Sequence, residues 1–271
     1  MCRWLAGACQ GRRHKVRACV PDLASKLPPK LRRLSYSLAS RGLSRTVLDV
    51  AGMLINALGN KTGYNAEHDQ AFDRRFGTDT AGKVESKELG YADKERQEQA
   101  ILYLPSPARV TRWMLDNIGI NHSQYSFVDL GCGKGRVVLG AAQYPFQSVL
   151  GVDLSMALTE VASRNVSIFP ASARKCGDVR ILNVDATQVD YPDTNLLLHL
   201  YHPFDANVTA AVLRNLEASL AGKPRQVRIA YLLYTSAVPA TREAFARFPW
   251  LRETQFVPSL LGHYDWLFYS N

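Results

Sequence analysis

A cluster of glycines near the middle of the chain is the first feature with the makings of a binding site. The segment Asp129–Arg136 reads D-L-G-C-G-K-G-R, and it places Gly131, Gly133 and Gly135 directly after the apolar run Tyr125–Leu130. Glycine lets the backbone turn sharply and lets a ligand lie directly against the main chain. The spacing therefore predicts a ligand-binding turn between a strand and a helix. A tight turn without a ligand is the alternative.

The glycine spacing argues against two common nucleotide sites. A dinucleotide-binding turn has the pattern G-x-G-x-x-G, and Arg136 stands where its third glycine is required. The phosphate-binding pattern G-x-x-x-x-G-K-[ST] is absent from the sequence. An NAD(P)-dependent enzyme is therefore disfavoured, although NAD binding in competition with another nucleotide would revive it.

Acidic residues also follow the next two apolar runs. Asp153 ends the run L-G-V-D, eighteen residues beyond Gly135, and Asp185 ends the run N-V-D. Parallel strands present their carboxyl ends at one edge of a sheet, where a carboxylate on the second strand can accept hydrogen bonds from a ribose diol. A carboxylate on the third strand can accept one from an adenine amine. The three acid-tipped runs together predict an adenosine site, and a helix N-cap is the alternative for Asp185.

The elements that carry these residues are visible from about residue 101 onward. Apolar runs that read as buried strands lie at 125–130, 148–152, 179–184, 195–201 and 226–233. Helical patterns lie between them near 135–143, 156–167, 205–220 and 238–247. This alternation predicts an α/β fold with a doubly wound parallel sheet covered by helices. The runs 253–257 and 265–269 have no helix between them, and they predict a terminal antiparallel hairpin.

Taken together, Asp129–Arg136, Gly151–Ser155 and Asn183–Ala186 resemble the first three motifs of class I S-adenosylmethionine-dependent methyltransferases. The resemblance covers about residues 100–271. It implies a seven-stranded sheet in the order 3-2-1-4-5-7-6 with strand 7 antiparallel, here preceded by an N-terminal helical or irregular extension. It also implies S-adenosyl-L-methionine as the cofactor. The implied reaction requires no metal, and the sequence contains no evident metal-ligand pattern.

The resemblance implies a role for each matching residue. The glycines would line the methionine moiety of the cofactor and Asp129 would help to fix its ammonium group. Asp153 would hold the ribose, while Asp185 and Ala186 would meet the adenine. The cofactor-binding residues expected in all are Tyr103, Asp129, Gly131, Cys132, Gly133, Gly135, Asp153, Leu154, Asp185 and Ala186.

Two upstream segments resemble bacterial methyltransferases of unassigned substrate. Phe72–Thr80 matches F-D-R-x-x-G-x-D-T, and Tyr103–Pro107 matches Y-x-P-[ST]-P. The second segment also looks like the cofactor-capping stretch of seven-strand protein-lysine methyltransferases. Its prolines stiffen the chain, and Ser106 is expected to cap a helix that starts near residue 107. A plain helix-start turn is the alternative.

The fourth strand is expected to end at the methyl acceptor. Amino-methylating members of the superfamily often have [D/N]-P-P-[F/Y] there, whereas this chain has His202-Pro203-Phe204. This departure argues against a DNA-type amine acceptor. His202 and Tyr201 are the candidate catalytic residues, with His202 as a general base; a strand-end histidine bonded to a carbonyl is the alternative. We expect His199 to be a satisfied core residue, and Tyr234, His263, Tyr264 and Asp265 are weaker candidates near the acceptor.

These features predict S-adenosylmethionine-dependent methyl transfer to an unidentified acceptor, either a small molecule or a protein. One alternative is a protein-lysine methyltransferase of the seven-strand type. Another is a non-catalytic cofactor-binding or partner-binding module on the same fold. Turnover of the cofactor in the presence of an acceptor distinguishes an enzyme from such a module.

Charge divides the chain unevenly. The first 45 residues hold eleven of the 33 lysines and arginines but only one of the 24 acidic residues. We interpret residues 1–60 as a basic arm and helix, residues 61–100 as a polar, loop-like capping or linker region, and residues 101–271 as the methyltransferase domain. The arm is suited to anionic lipid or nucleic acid, while a solvated leader and an organelle transit peptide are further interpretations.

Five irregularly spaced cysteines favour reduced thiols and a cytoplasmic location, and no apolar run is long enough for a transmembrane helix.

Overall fold

The computed structural model describes residues 66–85, 89, 103–258 and 264–271. The basic arm and helix expected over residues 1–60 therefore lie outside the described residues, as does His263. No helix in the described part of the chain is long and apolar enough to cross a membrane. The same residues contain no group of three or more potential metal ligands.

Seven strands form one sheet in the order β3-β2-β1-β4-β5-β7-β6. Their bounds are β1 Tyr125–Leu130, β2 Val149–Asp153, β3 Val179–Asn183, β4 Asn195–Tyr201, β5 Val227–Tyr234, β6 Arg252–Val257 and β7 Tyr264–Ser270. The strands β1 to β5 are parallel, and β7 pairs antiparallel with both β5 and β6. The predicted doubly wound sheet, its order and its terminal hairpin are confirmed.

Helices connect and cover these strands. Their bounds are α1 Ala66–Phe76, α2 Ala108–Asn117, α3 Arg136–Ala141, α4 Met156–Ile168, α5 Ala206–Gly222 and α6 Val238–Ala246. Short 3-10 turns lie at His122–Gln124, Ala171–Ala173, Ala186–Gln188 and Thr235–Ala237. Every residue of β1 is buried, as expected for a central strand with helices on both faces.

The interpretation of residues 61–100 as loop-like is wrong for α1. This helix is polar along most of its length, so its sequence gives little helical signal, but two of its aromatic residues pack into the fold. Phe76 lies 4.7 Å from Phe169 between ring centroids, and Phe72 stacks 6.4 Å from the same ring. Tertiary packing of these two rings decides the local structure where the helical pattern is weak.

A single carboxylate organises the turn that follows α1. Asp73 accepts hydrogen bonds from the hydroxyls of Thr78 and Thr80, both at 2.7 Å, and from the backbone amide of Ala81 at 2.6 Å. These contacts fold the chain back along the end of the helix. We call residues 66–85 the cap segment, because they pack on the glycine turn that contains Gly131, Gly133 and Gly135.

The helix expected near residue 107 begins at Ala108, but Ser106 does not cap it. Pro107 occupies the N-cap position, and no side chain accepts a hydrogen bond from the first turn. Ser106 is buried instead. The proline fixes the extended backbone that precedes the helix, so the stiffening predicted for this segment is present without the serine cap.

Candidate active site

A cavity of about 470 Å³ opens at the carboxyl ends of β1 to β5. The sheet order reverses direction between β1 and β4, and crevices at such switch points are the usual ligand sites of open α/β sheets. Of the predicted site residues, only Gly133 and Gly135 do not line the cavity. The predicted residues that do line it are Tyr103, Asp129, Gly131, Cys132, Asp153, Leu154, Asp185, Ala186, Tyr201 and His202. The predicted residues are thus brought to one place from four different strand ends and one upstream segment.

The glycine turn is fixed to β2 by main-chain hydrogen bonds. The amides of Gly131 and Cys132 both donate to the carbonyl of Val152, at 2.8 and 2.9 Å. Gly131 has a φ of 82°, and a Cβ atom added there would lie 2.6 Å from the Cβ of Pro203. The turn therefore needs glycine both for its left-handed backbone and for its close approach to the segment after β4. Cys132 is buried within it, and burial raises the pKa of its thiol well above the usual value.

Tyr103 covers the turn from the upstream side. The Cε2 atom of its ring would lie 2.1 Å from a Cβ atom added to Gly133, whose φ is 52°. The Tyr103 hydroxyl donates a 2.8 Å hydrogen bond to the carbonyl of Thr80 in the cap segment. Its backbone pairs with Val84 through hydrogen bonds of 2.9 and 3.2 Å. Tyr103 is therefore held against the glycine turn at both its side chain and its main chain, and burial raises its pKa.

Asp153 lies at the tip of β2, beside the glycine turn as predicted. One carboxylate oxygen accepts from the amide of Gly133 at 2.8 Å and the other accepts from the amide of Ser155 at 2.9 Å. Burial raises the pKa of this carboxyl, and the two amide hydrogen bonds act in the opposite direction. Each oxygen keeps a further lone pair for a ligand, so the carboxylate both fixes the turn and faces the cavity.

Asp185 lies at the end of β3 and caps the 3-10 turn that follows. Its Oδ1 accepts from the amide and the hydroxyl of Thr187, at 2.9 and 2.7 Å. The N-cap alternative is thus observed, while the residue also lines the cavity. Leu154 and Ala186 provide apolar surface beside it, with Leu154 exposed and Ala186 buried.

Asp129 and His199 form a buried pair beneath the cavity. They are directly opposite in the parallel pairing of β1 with β4, and His199 Nδ1 lies 2.7 Å from Asp129 Oδ1. The Nε2 atom of His199 is buried without a hydrogen-bond partner among the described residues. The expectation of a satisfied core histidine is therefore wrong for one of its two ring nitrogens.

His202 lies just beyond β4 with an unusual backbone. Its φ of 40° is the only positive value of a non-glycine residue in the described ranges. Its Nδ1 is buried with no hydrogen-bond partner among those residues, which argues against the alternative of a ring nitrogen bonded to a nearby carbonyl at that atom. Non-glycine residues in such conformations are held by their surroundings and cluster at functional sites. Burial lowers the pKa of the imidazole.

The most extensive contact that sequence reasoning missed is made by Arg136. Its guanidinium is buried, pairs with the buried carboxylate of Asp69, and donates from Nε to the hydroxyl of Thr80 at 2.7 Å. A second anion, the Asp73 carboxylate, lies 3.8 Å from it. The residue that argues against a dinucleotide pattern thus joins the cap segment to the glycine turn. The upstream match to F-D-R-x-x-G-x-D-T was a signal for this contact, because it contains two partners of Arg136, Asp73 and Thr80.

The cavity fits the cofactor that the resemblance implies. Its volume lies within the range of about 300–1,000 Å³ typical of small-molecule sites. Three carboxylates at successive strand ends match the ammonium, diol and amine donors of S-adenosyl-L-methionine in kind and order. Gly131 lines the cavity without a side chain, so a ligand can approach the backbone there.

The comparisons with known proteins agree with this fold. Residues 127–221 match a family model described as a methyltransferase domain, and no curated protein matches the chain. The solved structures of similar fold include a magnesium protoporphyrin IX methyltransferase from Synechocystis PCC 6803 with bound S-adenosylmethionine. It is 13% identical, with 60% of this chain and 76% of that chain covered and a TM-score of 0.45.

Two further structures are similar at the same level. An RNA methyltransferase from Salinibacter ruber in complex with S-adenosyl-L-homocysteine is 17% identical, covers 62% of this chain and 93% of its own, and has a TM-score of 0.43. A ribosomal protein L11 methylase from Lactobacillus delbrueckii subsp. bulgaricus is 15% identical, with coverages of 60% and 76% and a TM-score of 0.43.

The family match lies on the half of the sheet that holds the glycine turn and the three strand-end carboxylates. It agrees with the motifs read from the sequence and with the strand order. Residues 127–221 are therefore similar to a methyltransferase domain, and the strand order is the one that the resemblance to class I methyltransferases implies.

Proposed function

We propose that the protein transfers the methyl group of S-adenosyl-L-methionine to an acceptor bound at the ends of β4, β5 and β7. The observation that carries the proposal is that one cavity is lined by Gly131 of the glycine turn, by the carboxylates of Asp129, Asp153 and Asp185, and by His202, whose Nδ1 has no hydrogen-bond partner among the described residues. These residues cover both the cofactor and the acceptor side of a methyl transfer.

Each residue has a definite task in this proposal. Asp153 accepts hydrogen bonds from the ribose diol while its amide contacts keep the turn in place. Asp185, Leu154 and Ala186 surround the adenine, and Asp129 accepts from the ammonium group. The cofactor, when bound, supplies a methyl group already activated by its sulfonium. The chain therefore needs only to align a nucleophile with that methyl group and exclude water.

The cap segment supports an enclosed site. Lys134 of the glycine turn donates to the Asp79 carboxylate at 3.1 Å and to the carbonyl of Ala81 at 3.0 Å. Asn165 of α4 bridges the carbonyls of Asp79 and Lys134, at 2.8 and 2.9 Å. These bonds hold the cap segment and Tyr103 over the glycine turn, where they limit the access of water to the cofactor.

Calorimetric titration of the full chain tests the proposal first. We expect S-adenosyl-L-methionine and S-adenosyl-L-homocysteine to bind with micromolar dissociation constants, and NAD not to bind. NAD binding in competition with S-adenosyl-L-methionine would contradict the proposal. If both sulfur compounds bind, formation of S-adenosyl-L-homocysteine with an acceptor present distinguishes the enzyme from a non-catalytic module.

Replacing Asp153 by asparagine is expected to weaken binding of S-adenosyl-L-methionine by about 1–3 kcal/mol, because a charge-assisted acceptor is lost. The change also places an amide beside the backbone amides of Gly133 and Ser155. Calorimetry on the full chain measures the effect, and Asp178→Asn is the control because Asp178 is an exposed residue outside the cavity. Unchanged affinity in Asp153→Asn would remove Asp153 from the site.

A further inference from the structure

One end of the cavity is made of aromatic rings. We call Tyr201, His202, Tyr234 and Tyr264 the aromatic cluster; all four line the cavity. Tyr264 opposes Tyr234 in the pairing of β5 with β7, and their ring centroids are 4.5 Å apart. The centroids of Tyr201 and Tyr264 are 5.1 Å apart, and His202 meets Tyr234 edge-on at 5.2 Å. The rings form a continuous surface at the ends of three adjacent strands.

The aromatic cluster itself contains no charged carboxylate, lysine or arginine side chain. The charged residues that line the cavity are Asp129, Arg136, Asp153, Asp185 and Asp205. The first four lie at or beside the strand ends that form the cofactor half. The Asp205 carboxylate accepts from the amides of Asn207 and Val208, both at 2.8 Å, as the N-cap of α5. Burial raises the pKa of Tyr201 to about 12 and also raises that of Tyr264, so their hydroxyls remain protonated at neutral pH.

The three tyrosines interact with one another, since Tyr264 contacts the rings of both Tyr201 and Tyr234. The imidazole of His202 is different, because its Nδ1 has no partner among the described residues. An unpartnered buried ring nitrogen is unfavourable unless a ligand satisfies it. A neutral imidazole accepts a hydrogen bond through one nitrogen, so His202 offers an acceptor beside the aromatic surface.

Resting on the function proposed above, we propose that the acceptor is a flat, uncharged aromatic ring that carries a hydroxyl group. The ring packs against Tyr234 and Tyr264 in offset or edge-on contacts, and its hydroxyl donates to His202. In the transfer, the acceptor oxygen forms a bond to the methyl carbon while the carbon–sulfur bond breaks. That bonding pair stays on sulfur as a thioether, and the hydroxyl proton passes to the imidazole.

A lysine side chain suits this surface less well. An ammonium group would lose its hydration on entering the cavity, and burial of an unpaired charge is strongly unfavourable. Among the described residues that line the cavity, the only carboxylate outside the cofactor half is that of Asp205, whose Oδ1 already accepts two amide hydrogen bonds as the N-cap of α5. The planes of the contacting tyrosine rings are tilted by 31° and 58° to one another. The rings therefore form one continuous surface, and they do not surround a cation with separate ring faces.

Binding of small probes to the full chain tests the proposal without requiring catalysis. The probe is 2-naphthol, titrated in the presence of S-adenosyl-L-homocysteine and followed by saturation-transfer NMR. Its comparisons are 2-methoxynaphthalene, which cannot donate a hydrogen bond, cyclohexanol, which has no ring face, and 2-naphthylmethylamine, which is cationic. We expect 2-naphthol to bind about fivefold more tightly than 2-methoxynaphthalene, from one added hydrogen bond, and more tightly than the other two.

Two variants assign the contacts. Tyr234→Leu is expected to weaken 2-naphthol binding about fivefold, from loss of aromatic contacts, whereas Tyr144→Leu outside the cavity leaves it unchanged. His202→Gly relieves the left-handed backbone and removes the imidazole, so it is expected to abolish the preference for 2-naphthol over 2-methoxynaphthalene. His202→Asn tolerates that backbone and restores an acceptor, so part of the preference returns.

Several outcomes would overturn the proposal. Equal or tighter binding of 2-naphthylmethylamine would favour a lysine-like acceptor, and equal binding of cyclohexanol would remove the ring. A preference for the hydroxyl that survives in His202→Gly would remove His202 from the acceptor site. These ratios are also measurable without S-adenosyl-L-homocysteine. A failure of cofactor binding would therefore reject the proposed function by a different measurement.

Discussion

Replacing Gly133 by alanine is expected to lower the free energy of unfolding by about 2–4 kcal/mol and to weaken S-adenosyl-L-methionine binding. The left-handed backbone of Gly133 contributes about 1–2 kcal/mol of strain when a Cβ is present. The added atom would also lie 2.1 Å from the Tyr103 ring, and such overpacking costs about 1–3 kcal/mol. Tyr103 cannot simply move aside, because its hydroxyl and its main chain are both hydrogen-bonded to the cap segment.

Denaturant unfolding and calorimetry measure the two effects, and Gly119→Ala is the matched control. Gly119 has a φ of 71°, but an added Cβ there meets no atom within 4 Å. It should therefore show the strain without the clash. In the Gly133→Ala background, Tyr103→Ala should lower stability by less than it does alone, because the clash is removed. Equal losses in Gly119→Ala and Gly133→Ala would show that the Tyr103 contact has no energetic effect.

Replacing Arg136 by methionine is expected to lower the free energy of unfolding by about 3–5 kcal/mol, the usual effect of removing one partner from a buried ion pair. The change leaves the buried Asp69 carboxylate without its guanidinium partner and removes the hydrogen bond to Thr80. It also disconnects the cap segment from α3. Arg136→Lys keeps the charge but loses the planar fork of donors, so it should give an intermediate loss.

Urea unfolding of the full chain measures this effect against Arg242→Ala. Arg242 makes two 2.7 Å hydrogen bonds to Glu253 at the surface, and exposed pairs of this kind contribute about 1 kcal/mol or less. A loss in Arg136→Met no larger than that in Arg242→Ala would mean that the buried pair does not hold the cap segment in place.

The central elements of the fold could be predicted because their sequences are locally consistent. The five parallel strands lie within a residue or so of the apolar runs that indicated them. Runs buried on both faces leave a continuous apolar signal, and the glycine turn after β1 has few conformational alternatives. Asp153 lies where a strand-end acid must lie once the sheet is parallel. These inferences needed only nearest neighbours in sequence and the rules of parallel sheets.

What could not be predicted depends on contacts between distant residues. His199 meets Asp129 across seventy positions, and only the register of β4 against β1 brings them together. The partners of Arg136 come from a helix that has almost no apolar pattern. The left-handed backbone of His202 has no sequence signal, because only a small fraction of non-glycine residues of any type adopt a positive φ. Sequence reasoning thus identified the fold and most of the residues that line the cavity at the ends of β1 to β3, and it missed the contacts that hold the cap segment there.

The contacts of Arg136 also show that the folded unit extends beyond the residues that a sequence comparison identifies. The residues that match the family model begin at 127, yet the buried guanidinium of Arg136 has its ionic partners at residues 69 and 73. A fragment that began at residue 127 would leave this guanidinium without its carboxylate partners and would uncover the glycine turn. The smallest piece expected to fold on its own is therefore larger than the part that matches the family model. Transplanting this domain into another protein would require its upstream helix as part of the same graft.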